Sequence, residues 1–174
     1  MNKLVIVSAA AAAFAAGATP AFAQASVSQS TNGSATIIRP ITLAKTSDIA
    51  FGKIVRPSTG TSTVTIDPTS GTRSISGGDG VLLSSTATRA AYNVGGEGGQ
   101  SFSISVPASF ALAHSGGSGP ISVTLTGTAT SGTLSGSLGA DGTSSFGVGG
   151  SFDVSSSTAT GTYSGTFTVT VQYN

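Results

Sequence analysis

Few residues in this chain are of a type that does covalent or proton-transfer chemistry, and none sits in a pattern that such chemistry requires. There is one histidine, no cysteine and only six carboxylates in 174 residues. His114 stands in Ala-His-Ser-Gly-Gly, a context that predicts an exposed loop. A lone imidazole also lacks the second group that acid–base or metal chemistry needs. Without cysteine there is no thiolate nucleophile or thiolate metal site. No serine occupies a G-x-S-x-G elbow between a strand and a helix. The carboxylates Asp48, Asp67, Asp79, Glu97, Asp141 and Asp153 are scattered singly. Asp67, Asp79, Glu97 and Asp141 lie beside Gly or Pro, where turn formation explains them. Gly95-Gly96-Glu97-Gly98-Gly99 evokes a phosphate loop or a calcium-binding repeat. It has no Lys, no following helix and none of the aspartates such repeats use, so it reads as a flexible hairpin. The expectation is a protein without catalytic, cofactor-binding or metal-ligating residues, and not an enzyme.

The elements around these residues are strands. Short alternating runs fall at residues 35–43, 48–55, 62–66, 73–76, 91–94, 101–106, 121–126, 145–154 and 165–173. They are separated by Pro57-Ser58-Thr59-Gly60, Asp67-Pro68-Thr69-Ser70-Gly71, Gly77-Gly78-Asp79-Gly80, the glycine run at 95–99 and a Gly/Ser/Pro stretch at 115–120. Pro and Gly at such points preset turn dihedrals and stop strands. Asn32-Gly33-Ser34 matches a glycosylation sequon and reads as a turn. Within the runs, Phe51, Phe102, Ile104, Val123, Phe152 and Val169 take the apolar face and are the predicted core. Pro40 demotes the first run to an edge strand or one that switches sheets. The pattern predicts an all-β fold, a single antiparallel β-sandwich. No repeat of fixed period suggests a solenoid.

Composition agrees. Ser, Thr and Gly fill nearly half of the chain and charged residues only 7% of it. Disordered chains are usually highly charged and poor in β-branched residues; this one is the reverse. Seven basic residues face six acidic ones, and without Lys3 the formal charge is zero. That leaves no basic patch for nucleic acid or anionic lipid.

The two ends carry the strongest patterns. Met1-Asn2-Lys3, an apolar run at 4–18 and Ala21-Phe22-Ala23 read as a signal peptide over residues 1–23, with cleavage before Gln24. The apolar run is shorter than the ~20 residues a spanning helix needs. The expected location is therefore beyond the inner membrane. At the other end, Phe167, Val169, Val171 and Tyr173 alternate strictly with Thr166, Thr168, Thr170 and Gln172. That strand carries no Lys, Pro or bulge to blunt its edge. An edge left open in this way points to assembly.

Three blocks, in order, resemble a known family. The first is Ala35-Thr36-Ile37-Ile38-Arg39-Pro40-Ile41-Thr42-Leu43 with Asp48-Ile49-Ala50-Phe51-Gly52 and Val55-Arg56-Pro57. The second is Gly95-Gly96-Glu97-Gly98 leading to Phe102-Ser103-Ile104-Ser105-Val106-Pro107. The third is Gly161-Thr162-Tyr163-Ser164-Gly165-Thr166 leading to Val169-Thr170-Val171-Gln172-Tyr173. Together they resemble the domain-of-unknown-function 4402 (DUF4402) family of exported bacterial proteins, largely Gram-negative. The ending is also similar to chaperone–usher pilins and to spore-coat-U-like secreted proteins. The resemblance implies an immunoglobulin-like subunit lacking one strand, which a neighbour supplies. It also implies identical or homologous subunits as partners, with a periplasmic chaperone and an outer-membrane usher. Many such pilins carry a disulfide, and this chain has no cysteine for one.

On this reading residues 24–34 are an N-terminal extension and 35–174 the sandwich. The acceptor strand presents Phe167, Val169, Val171 and Tyr173. The candidate donor presents Ala25, Val27, Gln29 and Thr31, of which only Val27 is sizeable and apolar. The apolar run from Ile37-Ile38 to Leu43 is either the domain's own first strand or part of the donor, and both readings stay open. The leading expectation is a structural subunit of a cell-surface fibre. The alternative is a monomeric secreted β-sandwich that binds a carbohydrate or surface ligand, which the absence of Trp disfavours.

Overall fold

A computed structural model of the chain describes residues 26–174; the expected signal peptide 1–23 and the donor position Ala25 lie outside the described residues. Residues 36–174 form one compact unit, and residues 26–35 belong to another. Residues 26–35, taken alone, contain no strand or helix.

The compact unit is all-β. In chain order its strands are β1 (Thr42–Ser47), β2 (Ile54–Val55), β3 (Thr61–Ile66), β4 (Arg73–Ser76), β5 (Val81–Leu82), β6 (Ala90–Glu97) and β7 (Ser101–Ser105). There follow β8 (Ser109–His114), β9 (Ile121–Gly127), β10 (Ser131–Thr133), β11 (Asp141–Ser155), β12 (Tyr163–Ser164) and β13 (Thr170–Tyr173). Every pairing is antiparallel. No helix among the described residues is long and apolar enough to cross a membrane.

The 15-residue β11 organises the sandwich. Its first half pairs with β6 from Asp141 to Val148, and its second half with β3 from Gly150 to Ser155. On the opposite edge β9 joins it only from Val148 to Ser151. One strand thus serves two successive partners on one edge, and the larger sheet curls where they change over. Gly147, Gly149 and Gly150 sit at that changeover, all buried. A Cβ on Gly149 would overlap the carbonyl oxygen of Ile66, and one on Gly150 would stand 2.7 Å from that of Thr124. Glycine is needed here for close backbone approach.

The larger sheet runs β1-β6-β11-β9-β8-β12, with β3 and β4 added on β11. A second sheet, β10-β7-β13, and a short ribbon, β2-β5, complete the β-sandwich. Between them Val64, Ile66, Val94, Phe102, Val123, Leu134 and Val148 are each at most 1% exposed. Phe51 meets Phe152 edge-on at 4.8 Å, and Tyr92 stacks on Phe146 at 5.1 Å. Of the predicted core, Phe51, Phe102, Ile104, Val123 and Phe152 are buried, and Val169 is half-buried against the same cluster.

Three expectations need correction. The run 35–43 is not a strand: β1 begins at Thr42, and Ile37 before it is 92% exposed. Pro40 has no N–H for a ladder and biases Arg39 away from regular pairing with it. Of the run 165–173 only Thr170–Tyr173 form a strand, paired with β7 in the smaller sheet; residues 163–164, just before the run, pair with β8 in the larger one. Gly165 lies so close to the Ala111 carbonyl that no Cβ fits, and the chain crosses between sheets just after it. The glycine run 95–99 is not a hairpin. Gly95, Gly96 and Glu97 finish β6, and the following strand, β7, lies in the other sheet.

Candidate functional site

The chemistry-bearing side chains are engaged in holding the fold. Asp67 accepts the Ser70 N–H at 2.6 Å and the Thr69 N–H at 2.9 Å, an Asx turn that lowers its pKa. Asp79 reaches across to Ser58, whose hydroxyl and N–H donate to it, and its pKa is lowered as well. Asp153 accepts from the Thr63 hydroxyl at 2.6 Å across the strand pair, and Asp48 pairs with Lys45. His114 is not an exposed loop residue, as its neighbours predict. It ends β8, half-buried, with its ring 4.8 Å from that of Tyr163 and Nε2 3.0 Å from the Thr160 carbonyl. Gly116 N–H donates to Nδ1 at 3.0 Å. No cluster of three metal-ligating side chains occurs among the described residues.

Glu97 is the exception that sequence reasoning missed. It reads as a turn former, yet it is 2% exposed at the end of β6. Its carboxylate accepts the Gly139 N–H, the Arg39 N–H at 3.2 Å and the Arg39 guanidinium at 3.0 Å. The Gly139 N–H, ahead of the Arg39 contacts, holds its pKa below the usual carboxylate range, against the opposing effect of burial. Asp141 sits directly opposite Glu97 on β11 and takes the other side of the guanidinium at 2.9 Å. The Tyr173 hydroxyl donates to the Arg39 carbonyl at 3.0 Å and accepts the Glu97 N–H at 2.8 Å. The result is a clasp that ties the chain before β1 to β6, β11 and β13. Its sequence signal was weak: a single Glu among glycines, in a chain with few charges.

Next to the clasp is the edge that the sequence singles out. Phe167, Val169, Val171 and Tyr173 are half-buried against the core, while Thr166, Thr168, Thr170 and Gln172 are exposed. Phe167 packs on Phe110 of β8, with ring centroids 5.0 Å apart. Asn174 N–H bonds the Ser101 carbonyl, and Ile104 N–H bonds Thr130 on the β10 side. In this register Thr170 and Gln172 face β7, so Val171 and Tyr173 turn their main-chain groups outward. No strand is hydrogen-bonded to that outer edge. Of the candidate donor, Val27 is 86% exposed, and Gln29 and Thr31 are exposed and outside any strand.

A cleft of about 680 Å³ opens elsewhere in the sandwich and is lined by none of those four acceptor residues. It lies where β9 leaves β11 after Thr124 and Ser151. Phe51 and Phe152 form its floor, and Ile49, Ile54, Leu112 and Ile121 its walls. Sequence reading put Phe51 and Phe152 on apolar faces and Ile49 and Ile121 within strand runs. It missed that the strands splay there, because β8 and β5 were not recognised as elements.

A family model described as "Domain of unknown function (DUF4402)" matches residues 41–173, which covers the three blocks that resemble that family except residues 35–40 of the first. No curated protein and no solved structure matches the chain.

Proposed function

We propose that this chain, which belongs to the DUF4402 family, is a structural subunit of a bacterial cell-surface fibre, in which a strand from a neighbouring copy completes an immunoglobulin-like sandwich. The observation that carries the reading is the outer edge of β13. There Val171 and Tyr173 offer main-chain groups to no strand, while their side chains already pack on the core. A peptide added to such an edge gains ladder hydrogen bonds along its length and specificity from alternate side chains. Segment 24–34 is the donor in this reading, with Ala25, Val27, Gln29 and Thr31 on one face. A periplasmic chaperone holds the edge during export, and an outer-membrane usher exchanges it for the next subunit. The role calls for no catalysis and no cofactor.

The test is the oligomeric state of the purified exported chain. Sedimentation and unheated denaturing gels should show polymers that survive detergent, and deleting residues 24–34 should leave monomers that still bind a synthetic 24–38 peptide. A chain that stays monomeric at high concentration overturns the proposal.

The second reading, a monomeric secreted binding module, is favoured by the cleft. Its walls suit a sugar poorly, because the ring of Tyr163 at its margin already packs on His114.

A further inference from the structure

We propose that the cleft between β11 and β8–β9 binds a fatty acid, with its hydrocarbon tail over Phe51 and Phe152 and its carboxylate at Lys53 and Arg56. The volume of about 680 Å³ falls within the ~300–1,000 Å³ of small-molecule sites. Apolar residues, Phe51, Phe152, Ile49, Ile54, Leu112 and Ile121, line one part of it, and Thr158, Thr160 and Thr162 another. Its charge is of one sign: Lys53 and Arg56 line it, and no carboxylate does.

The placing of the other cations gives this weight. Among the described residues Arg39 pairs with Glu97 and Asp141, and Lys45 with Asp48. Arg89 donates to the Pro68 carbonyl, and its charge acts on Asp67. Arg73 fixes the cleft's outer wall from behind, donating to the carbonyls of Phe51 at 2.6 Å and Leu83 at 2.6 Å. Lys53 has no side-chain partner among the described residues, and Arg56 has only the Thr158 carbonyl at 2.7 Å. Two cations without carboxylate partners therefore line one cleft that also offers apolar surface.

That arrangement selects among occupants. A neutral strand gains nothing from Lys53 and Arg56, and the chain's own segment 24–38 carries no charged residue. A polyanion such as nucleic acid needs many more cations and no apolar floor. An acyl carboxylate uses both features. The inference does not rest on the fibre reading, since it concerns a different face and a monomer would bind equally well.

Calorimetry with octanoate, decanoate and dodecanoate, each below its micellar concentration, tests it on the purified chain. Each added pair of methylenes should tighten binding roughly tenfold until the tail fills the cleft. The double variant Lys53→Gln with Arg56→Gln, both exposed positions, should weaken dodecanoate about tenfold while leaving dodecanol unchanged. Lys45→Gln, a cation outside the cleft, should change neither. Absence of dodecanoate binding overturns the proposal, as does equal binding of dodecanol or an unaffected double variant. Capture by anionic phospholipid vesicles without binding of free dodecanoate would assign the cleft to a membrane surface. Dodecanoate binding that appears only after residues 24–34 are deleted would assign the cleft to that segment, of the same chain or of a second copy. Either result also overturns it.

Discussion

Arg39 lies between two carboxylates of unlike surroundings, Glu97 nearly enclosed and Asp141 exposed. A buried carboxylate persists only when its lone pairs are filled, and Glu97 fills them with two main-chain N–H groups and a guanidinium. Those bonds favour the ionised form, so the pKa in the folded state lies below the ordinary value near 4.5. A depressed folded pKa gives stability that is fully present above the unfolded value and lost as pH falls through the folded one. Glu97→Gln should therefore lower the thermal midpoint at pH 7, and should also flatten its fall between about pH 5 and pH 3. Asp67 and Asp79 keep part of that slope in both proteins, because their pKa values are lowered too. Parallel acid curves for the two proteins would show that the clasp does not depend on the Glu97 charge. Asp67 was legible as a turn former because its partners are two and three residues away. Glu97 was not, because its partners are 42 and 58 residues away.

Strands that alternate over four or more residues were readable as elements, and β3, β4, β7 and β9 lie within a residue or so of their expected limits. Two-residue and three-residue strands such as β5 and β10 have no period to detect, and of the run expected at 48–55 only Ile54–Val55 form a strand, β2. Their existence depends on partners: β5 on β2, β10 on β7. β8 was missed although Phe110 and Leu112 alternate, because Pro107 and the His114 loop signals dominate its flanks. The bend in β11 was hidden for a related reason. Its glycines look like strand weakeners, whereas in the fold they allow the backbone of β9, of β3 and of the turn after β3 to come close to β11. Gly149→Ala tests this. The added methyl meets the Ile66 carbonyl, with Pro68 N at 2.7 Å and Asp67 C at 3.0 Å, none of which is a movable side-chain tip. It should cost about 1–3 kcal/mol by denaturant titration. Gly119→Ala, with nothing within 4 Å, should stay within ~0.5 kcal/mol of wild type. Equal stabilities would mean the changeover relaxes freely.

At the scale of the molecule, the all-β class and the family could be read from spacing and three short blocks, but the relation between the two sheets could not. That relation turns β13 into the edge of the smaller sheet while β1 edges the larger one. The tertiary register also divides the residues of β13 by the direction of their main-chain groups, and this gives the sharpest test of strand addition. Val171 N–H points away from β7, so Val171→Pro removes an outward donor and leaves the β7 ladder intact. Gln172 N–H faces β7, so Gln172→Pro removes a bond that the fold itself uses. The first variant should fold, with a thermal midpoint only a few degrees lower, yet fail to polymerise or to bind the 24–38 peptide. The second should lose stability by about 1–3 kcal/mol, whatever its oligomeric state. If Val171→Pro polymerises as readily as wild type, strand addition does not take place on β13. If both variants unfold alike, the outer edge of β13 is already bonded in solution, and a neighbouring copy has no ladder there to join.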